Sequence, residues 1–597
     1  MSTGPTRPTL RGTFGMVAST HWLASQSAMA ELEAGGNALD AAVAGAFVLH
    51  VVEPHLNGPA GEVPAVFATA ADPRPTVLCG QGPAPAGATI DHFRGLGLDL
   101  VPGSGPLAAA VPGAVDAWLM LGRDHGTRSL RDVLSYAAGY ARHGHPLLPR
   151  AAAVVASMEQ LFTEHWPTSA ARWLPGGRPP RAWERVADPA YADVLDRLVA
   201  EGEAAGAGRE AQYDGARRAW REGFVAEAID AFARRPFLDS SGRAHAGVLT
   251  GADLAGWRAS YEPAVTTRFR DHEVAKTDLW GQGPVLLQSL TMLADVPDEA
   301  LDPSTDDGAH LVTEVLKLAF ADREAWYGDA GPVPVGELLD PAYAAQRLGL
   351  VGDVASRELR PGSPGGRRPR LPRHVTRPAI AAASDAAAVG TGEPTMSGDG
   401  VVRGDTCHLD VVDRWGNLVS ATPSGGWLQS SPTVPELGFC LGTRLQMCWL
   451  DDGLPASLAP GHRPRTTLSP TLVLRDGVPV AAVGTPGGDQ QDQWQLVFLL
   501  RHLALGLDLQ EAIDAPMFHT NAFPSSFHPR ESVPGDLVVE DRLGDEVIAA
   551  LAGRGHDVVR AGPWTLGRLS AVSRDPETGL LAAGANARAD QGYAVGR

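Results

Sequence analysis

Lysine is nearly absent from this chain of 597 residues: Lys276 and Lys317 are the only two, and 69 acidic against 50 basic side chains leave a formal net charge of −19. That balance argues against a polyanionic partner, so neither nucleic acid nor an anionic membrane surface is expected. Cysteine is scarce as well. The four thiols, Cys79, Cys407, Cys440 and Cys448, are too few and too irregularly spaced for a disulfide scaffold or a zinc site. No metal and no cofactor is implied. No run approaches the ~18 apolar residues of a membrane span. The opening MSTGPTRPTLRGTFGMVAST lacks the charged-then-apolar order of a secretion signal, and a cytoplasmic protein is expected. Gly-x-Ser-x-Gly elbows, His-Glu-x-x-His helices and phosphate loops are also missing.

What the chain does have is the stretch GDTCHLDVVDRWGNLVSATPSGG, residues 404 to 426. Two β-rich runs, Cys407 to Val412 and Leu418 to Thr422, flank Asp413-Arg414-Trp415-Gly416-Asn417, whose Gly and Asn suit a hairpin turn. Thr406 stands at the leading edge. On the hairpin alone, a solvent-facing threonine on an ordinary turn is the favoured reading. The alternative is chemical: a threonine hydroxyl needs a base, and a threonine made N-terminal supplies its own α-amine. That amine titrates near ~7.7 to 8.0, so roughly a tenth or more is neutral at pH 7. Creating it requires a cut between Asp405 and Thr406.

The pattern Thr406, His408, Val411-Val412-Asp413, Gly416-Asn417 and Thr422 resembles the processing and catalytic site of the γ-glutamyltransferase (γ-glutamyltranspeptidase) family of N-terminal-nucleophile hydrolases. Further matches arrive in the family's order. Gly35-Gly36-Asn37-Ala38 with Asp40 opens a helix whose apolar face is Leu39, Val43, Phe47 and Val51. Glu53 to Gly61 follows, where the family's glycine run is interrupted by Pro59 and Glu62. Leu249 to Leu254, Leu316 to Asp329, Ser469-Pro470 and Pro486-Gly487-Gly488 complete the series. Although length alone suggests about four domains, the resemblance implies one α+β body, the αββα four-layer sandwich of N-terminal-nucleophile hydrolases. It would be cut into a large chain, 1–405, and a small catalytic chain, 406–597. The Pro/Gly/Arg-rich run from Arg360 to Pro378 is expected to belong to a loose tail, about 360–405, and not to bind nucleic acid.

The resemblance also assigns roles. Thr406 is the nucleophile and Asp405-Thr406 the cleavage site; Cys407 is a lesser candidate for the nucleophile. Ser424 orients the nucleophile, and the backbone N–H groups of Gly487 and Gly488 form the oxyanion site, a role suited to glycines at a helix start. Substrate contacts fall on Gln81, Arg444, Gln446, Thr466 and Thr467. Where γ-glutamyl enzymes carry an arginine for the substrate α-carboxylate this chain has Gln81, and where they hold an aspartate for the amine it has Gln446. An amide does not replace a bidentate cation. Arg444 or Arg465 is then expected to meet a single carboxylate. Three readings stand: an autoprocessed threonine amidohydrolase acting on a small carboxylated or acyl amide such as oxamate, a true γ-glutamyltransferase, or a silent member acting as a binding protein. A heterodimer of the two fragments, with or without further homo-oligomerisation, is the expected assembly.

Overall fold

A computed structural model describes residues 5–331, 334–376, 406–588 and 591–597. The chain forms a mixed α/β fold of helices and antiparallel sheets. Two sheets of seven strands dominate it. The first runs, in spatial order, Tyr593–Gly596, Gly15–Ser19, Leu409–Asp413, Leu418–Ala421, Val63–Ala68, Thr76–Gly80 and Ser260–Pro263. The second runs Leu10–Gly12, Leu581–Ala585, Ser570–Arg574, Val478–Gly484, Thr471–Arg475, His272–Lys276 and Val265–Phe269.

Both sheets are apolar on both faces, and the period of two sorts the side chains. In Gly15–Ser19, Met16 and Ala18 pack with the second sheet, while Val17 joins the helices on the other side. In Thr471–Arg475, Leu472 and Leu474 face the first sheet, and Val473 faces the helices on its own side. One helical core includes Ala38–Val52, a helix buried along its whole length as expected for an element apolar all round. Asn37 and Asp40 close a full capping box at its start. The other helical core contains Pro284–Met292, Asp306–Trp326 and Gln491–Leu499.

Residues beyond 405 supply three strands of the first sheet and four of the second, interleaved with strands from before residue 377. The two parts share both sheets.

Several expectations are corrected. The hairpin strand starts at Leu409, so Thr406 precedes the regular ladder. The helix that follows the Gly487-Gly488 turn runs Gln491–Leu499 and continues as a π-helical turn over Leu500–Ala504. The arginine-rich run is docked as far as it is described: Arg360 pairs with Glu314, Arg367 with Glu337 and Arg373 with Asp451, and Arg370 donates to the Gly453 and Asp452 carbonyls. Its positive charge is used against the body of the protein. Residues 377–405, and with them Asp405, lie outside the described residues.

Candidate active site

Thr406 is fully buried, contrary to the solvent-facing reading. It forms an isolated antiparallel bridge with Ser424, and the two hydroxyl oxygens lie 3.3 Å apart. The backbone around it is held from both sides: Cys407 N–H donates to Pro423 O at 3.0 Å, and Thr20 N–H donates to His408 O at 3.2 Å. Ser424 is fixed in turn by Glu62, with N–H to O distances of 2.9 and 3.0 Å in the two directions. The interrupted glycine run keeps glycine where contact demands it. A Cβ on Gly61 would stand 2.1 Å from Ser424 O, and one on Gly58 would stand 2.5 Å from Gly426 O.

The imidazole of His408 sits between Thr422 Oγ1 at 3.0 Å and Asp410 Oδ1 at 2.8 Å, against Gly484 of the second sheet. Ser570 Oγ donates to the other Asp410 oxygen at 3.0 Å, and Ser420 Oγ donates to Val483 O at 3.0 Å. The Ser570 and Ser420 bonds join the two sheets.

Cys407 points away from Thr406. Its Sγ donates to Glu53 Oε2 at 3.1 Å and receives Asn57 Nδ2 at 3.1 Å. Burial pushes the thiol well above its ordinary range, so it is not a ready thiolate. Glu53 itself is raised by burial, although Thr20 Oγ1 donates to it at 2.5 Å. The folded chain therefore retains a proton there that the unfolded chain releases near pH ~4.3. The associated stability is complete below that value and is lost as pH rises through the folded pKa. Glu53→Gln, which makes the neutral state permanent, is expected to flatten this loss. Thermal midpoints of parent and variant between pH 5 and 9 should converge or cross as pH rises; parallel curves would refute a neutral Glu53.

The candidate oxyanion loop is built on conformations that favour glycine. Gly487 has φ +129° and Gly488 φ +53°. A Cβ on Gly487 would lie 2.4 Å from the Trp494 ring. Gly488 O accepts from Gln282 Nε2 at 3.2 Å, and Gln282 N–H donates to Thr466 O at 2.9 Å, which ties the loop to the Thr466-Thr467 segment. Asp489 accepts from Ser526 N–H at 2.8 Å and Ser526 Oγ at 2.7 Å, and pairs with Arg323. Burial opposes its charge, but Arg323 and Ser526 outweigh burial and hold its carboxyl below the ordinary range.

The candidate substrate residues are all buried, with unequal freedom. Gln81 Nε2 donates to Gly82 O at 3.2 Å, and its Oε1 has no partner among the described residues. Thr467 Oγ1 is likewise unpartnered, whereas Thr466 Oγ1 accepts from Leu468 N–H at 3.3 Å. Gln446 is committed on both ends, to Gly103 O, Thr443 Oγ1 and His528 N–H. Arg444, the expected carboxylate anchor, has its guanidinium ion-paired with Glu62 and placed over Trp427. Glu62, which breaks the glycine run, is its ion-pair partner; burial raises the Glu62 pKa against the pull of Arg444. Glu53, Glu62 and the Arg323–Asp489–Ser526 group were not found from sequence, because their partners lie tens to hundreds of residues away.

His310, Glu314 and His556 bring ligand atoms within 4.8 Å of one another. Glu314 is already taken by Lys317 at 2.8 Å and Arg360 at 3.2 Å, and the two imidazoles bond each other at 2.9 Å. Protein cations occupy the place a metal would need.

A family model described as gamma-glutamyltranspeptidase matches residues 24–596. The chain is similar to a solved structure described as LmbA2991HD, with 59% identity, full coverage of both chains and a TM-score of 0.94. It is 30% identical over 603 residues to the oxamate amidohydrolase proenzyme of Klebsiella pneumoniae subsp. pneumoniae, covering 98% of each chain. It is 29% identical over 592 residues to the acylase ACY 1 proenzyme of a Pseudomonas species, covering 97% of this chain and 93% of that one.

Proposed function

The chain belongs to the γ-glutamyltranspeptidase family of N-terminal-nucleophile enzymes, and from that premise we propose that it cuts itself between Asp405 and Thr406 and then hydrolyses a small amide carrying one carboxylate, such as oxamate. The observation that carries this reading is the placement of Thr406, buried and 3.3 Å from Ser424 Oγ. We read the two facing sheets, each covered by its own helical core, as the αββα sandwich of this enzyme class.

In the mechanism, Thr406 Oγ1 loses its proton to the base and attacks the amide carbonyl. The Gly487 and Gly488 N–H groups receive the oxyanion, the amine leaves with a proton, and water releases the acid from the acyl-enzyme. After the cut the Thr406 α-amine is that base. Ser424 Oγ holds the Thr406 hydroxyl in the attacking direction. Ser424→Ala is expected to lower kcat about five- to tenfold while self-cleavage persists, as for one positioned hydrogen bond. Unchanged kcat would remove Ser424 from the mechanism.

Neutral residues at Gln81 and Gln446 support discrimination against γ-glutamyl groups, whose zwitterionic end would be buried with unpaired charges. The likeness to an oxamate amidohydrolase and an acylase agrees with this. The test is a panel of oxamate, glutaryl amides, acyl β-lactams and γ-glutamyl anilide, with ammonia or amine release measured. Preference for γ-glutamyl donors over oxamate would overturn the specificity. The fragments 1–405 and 406–597 should co-elute without denaturant, since each sheet contains strands from both.

A further inference from the structure

The loop from Phe523 to Glu531 carries a buried charge that the mechanism above leaves unused. Arg530 is 3% exposed, and its backbone has φ +70°, a left-handed conformation that non-glycine residues hold only under constraint. Its guanidinium donates to Gln446 O at 2.7 Å and Cys448 O at 3.1 Å, and lies 4.2 Å from the Trp449 ring centroid. Those partners carry no charge. Among the described residues no carboxylate lies within ion-pair distance of it.

The carboxylates nearest to it, Glu324 and Asp489, act on it from a distance and are paired with other arginines. Arg323 pairs with Glu324 and Asp489, and Arg465 pairs with the same Glu324 at 2.9 Å. Three guanidiniums thus share two carboxylates. Burial, then repulsion from Arg465, pushes Arg530 below its ordinary pKa. A guanidinium stays protonated regardless, so a buried positive charge remains with no carboxylate in ion-pair distance among the described residues, where such charges are costly.

Its position ties this charge to the candidate active site. Ser526, on the same loop, grips Asp489, the residue after the oxyanion glycines. His528 N–H reaches Gln446 Oε1 at 3.2 Å. Arg530 is therefore held between the oxyanion loop and the segment where the resemblance places a substrate contact.

We infer that Arg530 is the anchor for the substrate carboxylate, in place of the cation missing at Gln81 and of Arg444, which is ion-paired with Glu62. The assignment rests on the amidohydrolase reading for the reaction, but its charge argument stands without it. The ligand class is a small amide that carries one carboxylate.

The experiment compares matched acid and neutral amides, oxamate against oxamide and succinamate against succinamide, in the parent, Arg530→Gln and Arg530→Lys proteins. Arg530→Gln should lower kcat/KM for the acid amides about 100-fold, as for loss of a charge-assisted pair. The loss on the neutral amides should be at least about tenfold smaller, because they carry no charge for Arg530 to meet. Arg530→Lys should restore part of the loss, because it keeps the charge without the fork. Equal effects on acid and neutral amides, or none, would overturn the assignment. If the parent hydrolyses none of these amides, the amidohydrolase reading falls, and calorimetry with oxalate and succinate decides the anchor alone. Binding that depends on Arg530 sustains it; absent or Arg530-independent binding refutes it.

Discussion

Replacing Thr406 by alanine is expected to leave one uncut chain of 597 residues with no measurable turnover. The same oxygen is assigned both reactions, so its loss should cost on the order of 10⁴-fold or more in kcat, as removal of a nucleophile does in hydrolases. The fold should survive: Thr406 precedes the Leu409–Asp413 ladder, and the bonds that fix the segment come from Cys407 N–H and His408 O. Denaturing electrophoresis and intact mass check the cut, and N-terminal sequencing of the parent's small fragment should read Thr-Cys-His. A small fragment from the Thr406→Ala protein, or a parent fragment beginning at Cys407, would overturn the assignment. The thiol alternative already carries a physical objection, because Cys407 is hydrogen-bonded to Glu53 and held protonated by burial.

The parts of the fold legible in the sequence are those set by neighbouring residues. The capping boxes Asn37–Asp40 and Thr250–Asp253 each span four residues, and both form as those residues suggest. The Gly416-Asn417 turn likewise depends on local backbone freedom and on Asp413, whose Oδ1 accepts from three consecutive N–H groups. Charge pairing was not legible, because it depends on which distant segments meet. Arg444 reads as a free cation in the sequence because its partner Glu62 lies 382 residues earlier. The arginine-rich run looked loose because its composition lacks an apolar period, yet its arginines find carboxylates and carbonyls on the body. Arg530 carries no motif, and its lack of a carboxylate partner among the described residues depends on which distant segments meet.

Gly487→Ala should be the second large effect, and it tests the oxyanion assignment by backbone geometry alone. The added Cβ would meet the Trp494 ring at 2.4 Å, and φ +129° is strained for any L side chain. Trp494 is fully buried and has no room to yield, so the loop must shift and its N–H groups lose their aim. Loss of one oxyanion donor is worth roughly 2.7 to 4 kcal/mol in the transition state, or about 10²- to 10³-fold in kcat. KM should move far less, because the donors are aimed at charge that develops only after attack. Gly477→Ala is the matched control: it also occupies a positive-φ position, φ +75°, but in the outer hairpin turn with open space around it. That variant should lose stability through backbone strain and keep kcat. If Gly487→Ala instead tracks Gly477→Ala, with a lowered thermal midpoint and kcat within threefold of the parent, the 487–488 turn is a structural bend and the oxyanion donors must be sought elsewhere.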